Sequence, residues 1–551
     1  MWYTDMAYEV LLCKNNKISV KRRNAMGERL YNNIMLPDEW PPKYSEETLR
    51  NKLPVPYLDT PPDIIDITVG RQLFVDDFLI EVHNLYPVCH KAKKFEGNPV
   101  FKPETSMEKY ERLPCAAPKS GGVWWDKDEK IMKMWYEAGW LHKMGYATSK
   151  DGIHWERPNL GIVGDTNEIL PERGAPAEDG RIRQFRPDST TVFIDYDTDK
   201  PDERYKLFMR SPGLDRPGIA AVSADGIHWD KARYTVTQGD RSTMFYNPFR
   251  KKWVYSIRCS WSGLRSREYA ECDDYLEGAD WTGKNVKWLC ADSTDKPNAY
   301  LRVKPELYNV DCVAYESIML GMFQIYYGPN NNVGFETGAP KITELVAMYS
   351  RDGFHFSRPT NETFINASMV RGEWDRGYVQ SVGGLCTVHD DELWFYYIGF
   401  AGDEAGGGKG NPNDCQFDTM YANGATGIAK LRRDGFVSLG TENDGEIITR
   451  KLTFTGRKKH FFINAETEGN GGIYVKILSA DKKTVLAESA PFTGDSTHAE
   501  LDFDGFDLSS LEGEAFRLHF YVTSGKIYSF WFSTSENGES GGYDAAGNVN
   551  A

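Results

Sequence analysis

Hydrophobic and polar positions alternate with a period of about two along most of this chain, in runs of five to nine residues broken by turn residues. Pairs of such runs recur: Gly122–Asp126 with Met132–Tyr136, Thr191–Asp195 with Tyr205–Phe208, Met244–Asn247 with Trp253–Ser256, the run Ile318–Tyr327, and Tyr378–Val388 with Leu393–Tyr397. A repeated phrase closes the series. Ser149-Lys150-Asp151-Gly152-Ile153-His154-Trp155 returns as Ser223-Ala224-Asp225-Gly226-Ile227-His228-Trp229 and as Ser350-Arg351-Asp352-Gly353-Phe354-His355-Phe356. Arg433-Asp434-Gly435-Phe436-Val437-Ser438 is a weaker copy, and Asp273-Asp274 with Trp281 a degenerate one. Asp-Gly supplies a turn with positive φ between strands, and small antiparallel sheets repeated at intervals of tens of residues form a propeller. Five modules predict an all-β fold: a five-bladed β-propeller followed by a C-terminal β-sandwich.

The predicted boundaries follow from where the pattern changes. Residues 1–68 are Pro-rich with little periodicity and read as an N-terminal arm wrapping a domain surface. Residues 69–440 carry the propeller. Residues 441–535 contain short alternating strands of sandwich type, such as Gly472–Ile477 and Ile527–Phe532. Residues 536–551, rich in Gly, Ser and Asn, read as a flexible tail.

Composition narrows the partners. A net charge of −15 argues against nucleic acid, while 13% aromatic residues suit both β-structure and sugar stacking. No apolar run is long enough to span a membrane. The nine cysteines show no Cys-x-x-Cys spacing and read as buried free thiols. The N-terminal residues lack the pattern of a signal peptide, which predicts a cytoplasmic protein if Met1 is the native start and a periplasmic or secreted one if a leader is missing.

The blade phrase, together with Arg71-Gln72-Leu73-Phe74-Val75-Asp76-Asp77, Tyr146–Gly152 and Arg433–Leu439, resembles the glycoside hydrolase clan of families 32, 43 and 68, and more closely the bacterial proteins labelled "family 32 N-terminal domain". The resemblance implies hydrolysis of a carbohydrate substrate in the propeller funnel. The chain departs from family 32 itself: it has no Asn-Asp-Pro box, Arg186-Pro187-Asp188 is a scrambled Arg-Asp-Pro, and Glu271-Cys272 falls in a blade-end turn. Fructan and sucrose are therefore disfavoured as substrates.

Aligning the modules on their innermost strands puts Asp188 level with Asp240, with Asp311 and Asp375 at comparable offsets and Lys119 at the matching place in the first module. This predicts a ring of four carboxylates and one ammonium, with room for a structural divalent cation such as calcium and otherwise no cofactor. Glu316 begins an otherwise apolar stretch, where desolvation favours the protonated carboxyl and suits a general acid. Asp188 is then the nucleophile or base, with Asp240, Asp311 and Asp375 in support. The Asp-Gly turn aspartates and their histidines read as structural. Arg186, Arg241 and Arg376 flank the carboxylates, either neutralising them or recognising an acidic sugar. The second reading implies a resemblance to enzymes that release keto-sugar acids from rhamnogalacturonan II in pectin. The alternatives are a non-catalytic carbohydrate-binding propeller and a glycoside phosphorylase.

Overall fold

A computed structural model describes residues 27–170, 187–210, 217–229, 231–403 and 419–550, together with the backbone of a hairpin formed by Glu9–Leu12 and Ile18–Lys21. Five four-stranded antiparallel sheets form the blades of a propeller. Their innermost strands are Val123–Asp126, Asp188–Ile194, Thr243–Asn247, Glu306–Glu316 and Gly377–His389. The ring is fastened by Lys93–Lys94, which adds to blade five ahead of blade one in sequence.

The repeated phrase builds the same turn three times. In the first copy Asp151 Oδ1 accepts from the backbone N–H of Ile153 and His154 at 2.9 and 2.8 Å, and Gly152 N–H donates to Ser149 Oγ at 2.9 Å. Gly152, Gly226 and Gly353 take φ of +75° to +82°, which a Cβ would oppose. The histidines do more than pack, since each Nδ1 bonds the turn carboxylate at 2.6–2.7 Å. Asp274 repeats the pattern with Leu276 and Glu277 N–H, so the degenerate copy is a true turn.

Beside the propeller lies a second β-domain, whose ten strands form one hydrogen-bonded network. Its long strands His460–Ser479 and Phe516–Ser533 pair along their lengths, with breaks in register at Asn464/Ala465 and Thr467/Gly472. Residues from both halves of these strands (Phe461, Ile463, Val475, Ile477, Phe520, Phe530) share a single core. Four strands of this sheet come from the N-terminal side, Ile64–Asp66, Gln72–Leu73, Ile80–His83 and Tyr86–Cys89. The segment around residues 69–89, expected to open the propeller, therefore belongs to this sheet. A cleft of about 990 Å³ along the seam is lined by Asp76, His83, Arg358 and Val437 among others.

The expected flexible tail is instead threaded into the propeller. Tyr543 and Asp544 pair with Glu316 and Tyr315, Ala546 N–H donates to Cys386 O at 2.9 Å, and Trp125 N–H donates to Ala546 O at 2.8 Å. Residues 542–549 thus bridge blades one, four and five across one mouth of the axial channel. Small residues make this segment look disordered in sequence, but they are what allows it to lie against three inner strands. A Cβ on Gly542 would come within 2.8 Å of the Glu316 Cα.

Candidate active site

The innermost strands begin alike. Lys119, Ser189, Arg241 and Tyr378, in blades one, two, three and five, all take left-handed φ between +48° and +63°. Register breaks follow at Asp188/Thr191 and Gly377/Gln380, and blade four breaks at Leu307/Asn309. Such conformations are costly for residues with a Cβ and collect at functional sites. The kink turns the strand start toward the channel, opposite the mouth held by the tail.

Two of the expected carboxylates stand in register at this end. Asp188 precedes Ser189 and Asp240 precedes Arg241. Asp188 receives Arg210 Nη1 at 2.8 Å and Ser189 Oγ at 3.0 Å, and lies 3.8 Å from Lys119 Nζ. Asp240 lies 3.4 Å from both Arg258 and Arg265, and its side chain is 31% exposed. Burial opposes ionisation of Asp240, but Arg265 and Arg258, helped by Lys341 and Arg210, hold its carboxyl well below the usual range.

Sequence reasoning missed a third carboxylate. Glu137, on the second strand of blade one (Ile131–Ala138), places Oε1 2.5 Å from Lys119 Nζ, and both side chains are buried. Burial raises the Glu137 carboxyl, Lys119 opposes that, and Asp188 adds to it; the balance is upward. A carboxylate directly after the apolar Met134-Trp135-Tyr136 was the available signal.

Aromatic rings wall the site. Lys119 Nζ sits 3.7 Å over Trp140, which stacks on Tyr421 at 4.2 Å. Tyr308 and Tyr378, level with each other in blades four and five, share a hydroxyl contact of 2.9 Å, and Lys341 Nζ donates to Tyr308 Oη at 3.2 Å. Arg265 lies over the Tyr308 ring at 4.3 Å. Burial alone would raise the Tyr308 phenol, yet Lys341 and Arg265 bring it below its ordinary value. Around Glu137, Asp188 and Asp240 stand five cations: Lys119, Arg210, Arg258, Arg265 and Lys341. In a chain of net charge −15, this end of the channel is locally positive.

The other expected residues lie elsewhere. Glu316 ends the strand on which Asp311 sits. At about 3.3 Å per residue it is about 16 Å further along, at the tail-filled mouth. There it accepts from Arg71 N–H at 3.0 Å, Arg433 Nη2 at 3.2 Å and Ser540 Oγ at 2.6 Å. These contacts tie it to the segments that cover that mouth, away from Asp188 and Asp240. Asp375 points outward into blade five, to Lys94 Nζ at 2.6 Å and Tyr397 Oη at 3.1 Å, because it precedes the shared kink by three residues rather than one. Arg376 follows it, half-buried, two residues before Tyr378. Asp311 and Arg241 are buried beneath the floor, within the channel. Arg186 lies outside the described residues.

The expected four-carboxylate ring therefore does not assemble. Among the described residues, no group of three or more His, Cys, Asp or Glu side chains is placed to hold a metal ion.

No protein-family profile and no curated protein matches the chain. Solved structures similar to it include a putative glycoside hydrolase from Bacteroides ovatus, at 14% identity and TM-score 0.36, covering 62% of this chain and 97% of that one. Another is a family 43 arabinoxylan arabinofuranohydrolase from Bacillus subtilis in complex with cellotetraose, at 11% identity and TM-score 0.30, covering 86% and 97%. A third is a family 32 β-fructofuranosidase from Bombyx mori, at 10% identity and TM-score 0.36, covering 79% and 94%. The blade assignment stands on the strand pairing of this chain itself.

Proposed function

We propose that the chain is a glycoside hydrolase that releases an acidic sugar from a polysaccharide side chain, and that Asp240 and Glu137 perform the chemistry. The observation that carries this reading is the charge pattern of the kinked strand ends. Asp240 is ionised and partly exposed, Glu137 is biased toward its protonated form, and five cations surround them. Glycoside cleavage needs one carboxyl group to protonate the leaving oxygen and one carboxylate to attack or to activate water. Glu137 suits the first role and Asp240 the second. Asp188, held by Arg210 and near Lys119, orients the sugar and steadies developing positive charge. Guanidinium groups recognise carboxylates in a bidentate manner, so Arg258 and Arg265 suit a substrate that carries its own carboxylate. Trp140 and Tyr421 offer apolar faces to the sugar ring.

The test is product release from pectic polysaccharides, rhamnogalacturonan II included, and from arabinan and fructan. Release of an acidic monosaccharide that Asp240→Asn and Glu137→Gln both slow by orders of magnitude supports the reading. Release of a neutral furanose contradicts the acidic-sugar assignment, and no release from any glycan favours a binding propeller. A phosphorylase is the second reading, because the same cations would hold phosphate. Turnover that requires inorganic phosphate would establish it.

A further inference from the structure

Beneath the floor of the site, the axial channel holds two guanidinium groups without an adequate counter-charge. Arg241 leaves blade three and crosses the channel to Ser120 Oγ of blade one, at 3.3 Å. It is 1% exposed, and its Nε and Nη1 have no hydrogen-bond acceptor. Arg267, fully buried, donates to the backbone carbonyls of Arg241 and Tyr308 and to Asn309 Oδ1, and its Nε is also unpartnered. Neither arginine has a carboxylate within 4 Å among the described residues. Burial, and then the neighbouring charge of Arg241, push the Arg267 guanidinium down to about 9.

Asp311 feels the charge of Arg241 and accepts from Ser381 Oγ at 2.5 Å and Asn309 Nδ2 at 2.9 Å. Burial raises its carboxyl despite Arg241, which weakens it as a counter-ion. At the same level of blade five, both amide atoms of the buried Gln380 are without partners. Buried charge without compensation is strongly disfavoured, and buried donors without acceptors add to the cost.

We propose that the axial channel binds a small monovalent inorganic anion, of the halide type, at Arg241 and Arg267. The donor chemistry decides the sign. Guanidinium nitrogens only donate, so their partner must carry lone pairs, and two buried positive charges favour a partner that is also negative. A divalent cation, which the aspartate pattern in the sequence suggested, would meet two positive side chains here and one weakened carboxylate. This inference is independent of the glycosidase reading.

The probe is chloride on the intact protein. Thermal unfolding is followed as sodium gluconate is replaced by sodium chloride at constant ionic strength. A saturable rise of the midpoint with chloride is expected, because a ligand bound only by the folded state stabilises it. The rise should vanish in Arg267→Met, and calcium should not reproduce it. An unchanged midpoint across the exchange, or a shift with calcium alone, overturns the proposal. Crystals grown in sodium bromide supply a reading that needs no variant. An anomalous peak within about 3.5 Å of the Arg241 guanidinium supports the site. A channel without such a peak refutes it.

Discussion

Glu137 and Asp240 are pushed in opposite directions by their surroundings, and that difference sets their proposed roles. Asp240 sits among guanidinium groups and stays ionised below the ordinary carboxylate range. Glu137, buried and close to Asp188, keeps its proton to higher pH. Turnover should therefore persist well into acid and fall on the alkaline side as Glu137 loses its proton. Glu137→Gln should remove that alkaline limb in a pH profile of residual activity. Asp240→Asn should lower kcat by about 10²–10⁴-fold with the fold intact, as single-turnover kinetics and circular dichroism would show. Glu316 makes the contrast: removing its charge takes the carboxylate from Arg433 Nη2 and leaves Arg71 with Asp434 as its one remaining carboxylate partner among the described residues. Glu316→Gln should cost about 3–5 kcal/mol in denaturant unfolding while kcat stays near wild type. The level of Asp188 with Asp240 was legible in the sequence because both directly precede the kinked residue. Asp311 and Asp375 were misaligned because the kinks and register breaks shift the count, by four residues at Asp311 and two at Asp375, and alternation alone does not reveal them. Arg258 and Arg265 meet across one hairpin of blade three, and Lys341 joins them through the packing of blade four beside it.

The Ser-x-Asp-Gly element was legible because its chemistry is local. One aspartate side chain caps two backbone N–H groups within three residues, and glycine takes the left-handed position. Its strength should follow burial. In the third copy Asp352 is 5% exposed and bonds His355 Nδ1 at 2.6 Å. Burial raises the Asp352 carboxyl, but His355 and the turn N–H groups outweigh it and lower the balance. Its contribution to stability is thus present above the ordinary carboxylate value and is lost as pH falls into the acid range. Asp352→Ala should cost about 1–3 kcal/mol near neutrality and less at low pH. Asp151→Ala, at a half-exposed carboxylate, should cost less in the same urea titration.

Across the whole molecule, one segment ahead of blade one and one at the C-terminal end hold the propeller. Lys93–Lys94 closes blade five, and the C-terminal segment covers the mouth opposite the candidate site. Composition could not reveal the second of these, since a Gly- and Asn-rich segment buries few large side chains whether free or threaded. Removing residues 538–551 takes away the Ser540 contact with Glu316 and the strand pairing of Tyr543 and Asp544. The truncated protein should unfold at a clearly lower temperature in calorimetry; an unchanged midpoint would mean that the segment is an appendage.

In the proposed function, a positive funnel in an acidic protein selects a sugar that carries a carboxylate. The most direct test compares the initial rate of monosaccharide release from native pectic polysaccharide with that from the same material after its carboxyl groups are reduced to alcohols. The account predicts release of an acidic sugar from the native polymer and a fall of about 100-fold or more after reduction, the scale expected when a buried bidentate partner is lost. Equal rates on the two materials would contradict it.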